Sequence, residues 1–272
     1  MHAKPDLRVF LKWMIAGSGS VITDVIPHGN AHAMNGISMF EAAGYFKPFP
    51  DYPSVFHDNP KLHRKYLLPL ATVELSFINS AWDGQVHFVT PLIQIHREMG
   101  GRYDTYLCRE RWIGFKLIEN RLKLACDFKF FNVDYDKEVV KKANDGYSLR
   151  KKHHLEFQSL HNAWAKRTGG TYSQDDRVEL VRSLGGESFH CNWSAATDFP
   201  IIDGSMKTDE CGDLSTTVYP MTEDGRPFSF IGTIPIHHYI AQDPDYTCLL
   251  DGNVMLFYDP EDKLALTTVA LS

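Results

Sequence analysis

Asp83-Gly84, an apolar run closing on Ile95-His96, then Thr105, Leu107, Phe115, Glu119, Leu122 and Leu124 are followed about 140 positions later by a matching series. That series is Asp224-Gly225, Ile236-His237, Thr247, Leu249, Phe257, Glu261, Leu264 and Leu266, in the same order. Each copy reads as a turn dipeptide, an apolar run ending in His, a second apolar run and a charged tip, which is how strands joined by tight turns are written. The recurrence predicts an α+β, β-rich protein of two related antiparallel-sheet lobes, an internal duplication with helices between them. The N-terminal lobe, with the degenerate copy, would take residues 1–145 and the C-terminal lobe residues 146–272, separate or merged into one compact domain.

A chain of 272 residues can bury roughly three quarters of its unfolded surface, so its core needs neither metal nor crosslink. The 43% hydrophobic and 23% charged content excludes a disordered chain, and the 12% aromatic share favours a filled β core. A formal net charge of −6 weighs against nucleic acid and anionic membranes as partners and toward a basic protein. The five cysteines are odd in number and lack CxxC spacing, the pattern of reduced thiols in a cytoplasm. Asp6, Arg8 and Lys12 interrupt the first apolar stretch, and no later one approaches the length of a membrane span. The expectation is a cytoplasmic protein.

Leu7, Phe10, Leu11, Met14 and Ile15 share one helical face, with Asp6 to cap it and Gly17 to stop it. From Gly17 to Pro60 the chain reads as irregular, with one short strand and one short helix. Strands are expected at Ala71 to Ile78 and Val86 to Ile95, and a hairpin from Trp112 to Ile118 and Leu122 to Phe131, turning at Glu119-Asn120. Ser148 to Arg167 is the clearest helix, with Leu149, His153, Phe157, Leu160 and Trp164 as its stripe. A shorter helix is expected from Ser173 to Leu184, ended by Gly185-Gly186. Phe228 to Ile234, Val254 to Tyr258 and Leu264 to Leu271 read as strands, the last two joined at Asp259-Pro260-Glu261-Asp262.

Candidates for chemistry are few. His28 and His32 have the spacing of helical metal ligands, but the glutamate of an HExxH motif is missing and Pro27 and Gly29 oppose a helix. Neighbours such as His153-His154 and His237-His238 point different ways on a regular element and form no chelate by themselves. His190-Cys191 suggests a nucleophile only if a base comes from a distant segment. No G-x-S-x-G elbow, P-loop or dinucleotide fingerprint is present, so no catalytic residue, cofactor or metal is assigned. Asp203, Asp209, Glu210 and Asp213 gather in a glycine-bearing, loop-like segment, and with Asp175 and Asp176 they form the candidate surface for a basic partner.

The C-terminal third carries a further pattern: Ser183-Leu184-Gly185-Gly186, Asn192-Trp193, Phe199-Pro200, Glu223 through Gly232, and Leu250 through Tyr258. It resembles the bacterial YwqG-like family, a domain of unknown function, over about residues 180 to 271. Members of that family often accompany secreted polymorphic toxins. The resemblance therefore implies an immunity protein that binds and neutralises one cognate antibacterial toxin, a secretion-system effector such as a nuclease, and it carries over no catalytic residue. The alternative function class is a hydrolase or metal enzyme using His190 or Cys191, or a small-ligand module with a pocket between the lobes.

Overall fold

A computed structural model describes residues 34–38, 44–92, 101–131, 137–168, 179–195, 197–209, 212–240 and 252–270. Among them three antiparallel sheets are formed. The largest runs in the order β1 (Met34–Ser38), β7 (Glu179–Leu184), β10 (Ser229–Pro235), β11 (Asn253–Asp259), β12 (Leu264–Ala270), β5 (Trp112–Ile118) and β6 (Arg121–Leu124). A second joins β2 (Phe46–Pro48), β3 (Leu67–Glu74) and β4 (Gln85–Pro91), and the third is β8 (Ile201–Thr208) with β9 (Leu214–Pro220). The helices are α1 (Tyr52–Val55), α2 (Pro60–His63), α3 (Leu75–Ile78), α4 (Lys137–Thr168) and α5 (Asn192–Ala195). The protein is thus α+β and β-rich.

β11 explains why its sequence is apolar at successive positions. Val254, Leu256 and Tyr258 enter one core with Leu68, Val86 and Phe88 of the three-stranded sheet, while Met255 and Phe257 enter another with Trp112, Trp193, Phe199 and Phe228. Side chains of a strand alternate between faces, so a strand covered on both sides loses the polar half of its pattern. The large sheet is a middle layer, with the β2–β3–β4 sheet on one face and the α5 segment and the root of β9 on the other.

The duplication expected from the recurrence is not shown by the fold, and what the two described segments share is local. The two Asp-Gly pairs form turns with Gly84 at φ +89° and Gly225 at φ +87°, leading into β4 and β10. Each is followed by a hairpin, β5–β6 or β11–β12. Pairing does not repeat with it: β4 pairs with β3, whereas β10 pairs with β7 and β11, and β5–β6 complete the same sheet as β10–β12. Glu119 and Asn120 have φ of 51° and 61°, as a tight hairpin turn with primed geometry requires.

Several expectations on individual elements are corrected. Residues 179–184, read as the end of a helix, form β7 because Leu180, Val181 and Leu184 are buried and the strand is hydrogen-bonded between β1 and β10. The strand expected at 71–78 ends at Glu74; Leu75 and Ile78, three apart, both reach the core from the single turn α3. The strand begun at residue 121 stops at Leu124, and Phe128–Phe131 is a 3-10 turn.

α4 begins eleven residues before its expected start, at Lys137, and runs through Asn144-Asp145-Gly146, a turn-like triplet. There Asn144 Oδ1 accepts from Arg64 Nε at 3.1 Å and its amide donates to the Val140 carbonyl at 2.8 Å. Tertiary anchoring overrides propensity at this point. The buried face of α4 is also rotated from the expected stripe: Ala143, Asn144, Tyr147 and His154 are buried, and Leu149 is exposed. The expected helix at residues 7–15 lies outside the described residues.

A candidate partner-binding arm

β8 and β9 form a hairpin of two unlike ends. At the root β9 is paired on both edges: Ile201 and Ile202 of β8 lie opposite Pro220 and Tyr219, and on the other side Phe189 bridges to Thr217. Val218 donates its N–H to the Ser188 carbonyl at 2.8 Å. Val218 and Tyr219 are buried in the core that holds Trp112 and Trp193. Glu187 clasps both strands, accepting from Lys207 Nζ of β8 and from the Tyr219 hydroxyl of β9. Burial, with Glu187 beside it, pushes the Tyr219 phenol well above its ordinary range.

The far end has no such cover. Met206 lies opposite Thr216 and Thr208 opposite Leu214, so Met206 and Leu214 share one face as diagonal neighbours. They are 65% and 71% exposed. At the tip Asp209 N–H donates to the Asp213 carbonyl at 2.8 Å, and Asp213 N–H donates to Asp209 Oδ1 at 3.0 Å, an aspartate-stabilised turn. Of the six carboxylates expected to face a partner, Asp203, Asp209 and Asp213 are brought onto this one hairpin. Asp175, Asp176 and Glu210 lie outside the described residues. The segment read as a loop is a β-hairpin, because a bulge between Asp203 and Met206 absorbs Gly204-Ser205 without ending the ladder.

His190 ties the root to the α5 segment. Its Nε2 lies 2.8 Å from Asp203 Oδ1 and its Nδ1 3.0 Å from Ser194 Oγ. In the tautomer with the proton on Nε2, the ring donates to Asp203 and accepts from the Ser194 hydroxyl. Ser194 Oγ also accepts the Cys191 N–H at 3.2 Å and lies 3.0 Å from the Cys191 carbonyl, closing a tight turn. Burial pushes the Cys191 thiol upward, opposed by the Trp193 and Asn192 amides and by Arg182, so it remains a thiol and not an activated thiolate. Ser194 was invisible as a candidate. Its only sequence signal is the four-residue spacing from His190, while Asp203 is reached solely through the pairing of β8.

Other polar groups serve the fold. Arg226 binds Asp224 at 2.9 Å, Asp259 at 2.8 Å, Glu261 at 2.9 Å and Asp262, tying the turn before β10 to the β11–β12 hairpin. His87, not singled out by its sequence context, is buried between Thr72 Oγ1 at 2.8 Å and the Asn120 carbonyl at 2.7 Å. Burial lowers its pKa to about 4. Of the adjacent pair on α4, it is His154 that is buried, packed against Phe49, and His153 that is not. Burial, with His237 and Arg150 nearby, lowers His238 to about 4. His28, His32 and His96 lie outside the described residues. No three His, Cys, Asp or Glu side chains among those described converge as a metal site requires.

Comparison with protein-family models, curated proteins and solved structures finds no significant match. Among the described residues no helix is long and apolar enough to cross a membrane.

Proposed function

We propose that this chain is a stoichiometric inhibitor: an immunity protein that occupies a basic surface of a cognate antibacterial toxin, such as a nuclease effector, in the cytoplasm of the producing cell. The observation that carries this reading is the placement of Asp203, Asp209 and Asp213 on one exposed hairpin beside the uncovered Met206 and Leu214. Carboxylates around an apolar patch give a basic partner charge attraction at the rim and area to bury at the centre. The resemblance of residues 180 to 271 to the YwqG-like family supports the same assignment. No cofactor, nucleic acid or membrane enters it.

The test is coexpression with the product of the neighbouring gene. A harmful neighbour that this chain neutralises in a one-to-one complex is the expected result. Changing Asp203, Asp209 and Asp213 together to Asn should weaken that complex by about tenfold or more and flatten its dependence on salt. A harmless neighbour, or an affinity indifferent to the triple change, overturns the assignment.

One observation favours a second reading, a hydrolase. Ser194, His190 and Asp203 stand in the nucleophile, base and orienting-carboxylate relation. Ser194 is buried and its oxygen is engaged within the Cys191 turn, which places this reading second. A fluorophosphonate probe that labels Ser194 and is lost in Asp203→Asn would promote it.

A further inference from the structure

The geometry points to a specific mode of engagement: we propose that the arm captures its partner by strand addition, with a basic extended segment pairing along the outer edge of β8. This rests on the inhibitor reading above and specifies how that surface works. β9 has little edge to offer, since β8 takes one side and residues 188–190 take the other along Thr216 to Val218, leaving only Leu214-Ser215 toward the tip. β8 pairs with β9 alone among the described residues. Its side chains Ser205, Met206 and Thr208 are exposed, so nothing among the described residues covers the distal half of that strand. An edge of this kind presents unpaired main-chain N–H and C=O groups in register, the template that β-augmentation uses.

Proteins commonly blunt such edges. Here the bulge at Gly204-Ser205 sits next to the root, and Lys207, the usual kind of edge guard, is drawn to Glu187. The stretch from Met206 to Thr208 remains a regular ladder. Charge selects the occupant. A second copy of this chain would bring Asp203, Asp209 and Asp213 against their own equivalents, whereas a strand rich in Lys and Arg meets them favourably. Met206 and Leu214, on one face, supply the apolar contact that an alternating basic and apolar strand would cover.

The experiment uses the whole chain and a synthetic peptide of about ten residues alternating Val with Lys or Arg, long enough for one strand. Affinity is read by fluorescence anisotropy at moderate salt, beside the same peptide N-methylated at alternate residues and a Glu-for-Lys version. Amide hydrogen exchange reports on β8. The expected result is saturable binding with slowed exchange at residues 205–208, at least tenfold weaker binding of the N-methylated peptide, and no binding of the acidic one. Met206→Ser with Leu214→Ser, both at exposed positions that spare the fold, should weaken binding about fivefold.

Equal affinity for the N-methylated peptide would show bare charge attraction and overturn the proposal. So would absence of binding, unchanged exchange at β8, or a homodimer whose β8 amides are already protected. If the neighbouring toxin binds and depends on the three aspartates while β8 exchange stays unchanged, strand addition fails and the inhibitor reading stands. A peptide that binds as expected beside a harmless neighbour gives the converse.

Discussion

The β11 ladder and the β8–β9 arm are both antiparallel hairpin structure, yet they are stabilised in opposite ways. β11 and β12 are covered on both faces, with Trp112, Trp193 and Phe257 in mutual ring contact on one side and Thr267 donating to the Val89 carbonyl across to the other layer. The arm is buried only where Val218 and Tyr219 enter the core, and its outer half holds apolar side chains in water. Isolated two-stranded ribbons are marginal. The arm persists because Glu187, His190 and residues 188–190 clamp its root. An incompletely buried hairpin held by a packed scaffold is what the proposed recognition role calls for, since such a surface contributes little to folding and is open to contact.

The sharpest way to break that contrast is to remove an anchor on the scaffold side. Trp112 is fully buried, meets Trp193 edge-on, and donates its indole N–H to Thr197 Oγ1 at 2.7 Å. Trp112→Ala should destabilise the protein by about 4 kcal/mol in urea unfolding. A loss near that of a surface substitution would mean the scaffold is no tighter than the arm.

The next effect is on pH. His87 is neutral in the fold with a pKa near 4, below its unfolded value of 6.5, so the unfolded chain binds a proton first as pH falls. Stability should decline from pH 6.5 toward 4 and receive no further contribution from this group below that. The full loss is on the order of 3 kcal/mol, taking 1.36 kcal/mol for each unit. His154 and His238, also lowered by burial, act in the same direction. His87→Gln cannot titrate, so the difference between its acid profile and that of the parent isolates this site; matching profiles would disprove it.

The smallest expected effect lies on the arm. Met206→Ser with Leu214→Ser should change unfolding stability by no more than about 0.5 kcal/mol, because both positions are already solvated. A large destabilisation would place the outer arm in the core's cooperative unit. Little change in stability with a marked loss of partner affinity would sharpen the division between scaffold and arm.

Part of the order of turns and strands was legible in the residues themselves. Trp112–Ile118, the Glu119-Asn120 turn and the β11–β12 hairpin follow from β-branched and aromatic runs bounded by polar and proline-bearing turn residues, Glu119-Asn120 and Asp259-Pro260. Local chemistry of that kind is complete within a few positions, so a linear reading captures it. The aspartates, too, were visible as a group of charges. What they sit on was not: Gly204-Ser205 and the short polar runs beside it read as loop, and only pairing with β9 makes them a strand. The His190, Ser194 and Asp203 constellation, the strand identity of residues 179–184 and the pairing partners of β4 and β10 were decided by tertiary structure. Each depends on hydrogen bonds and burial contributed by segments far along the chain, and local propensity is too weak to specify those partners.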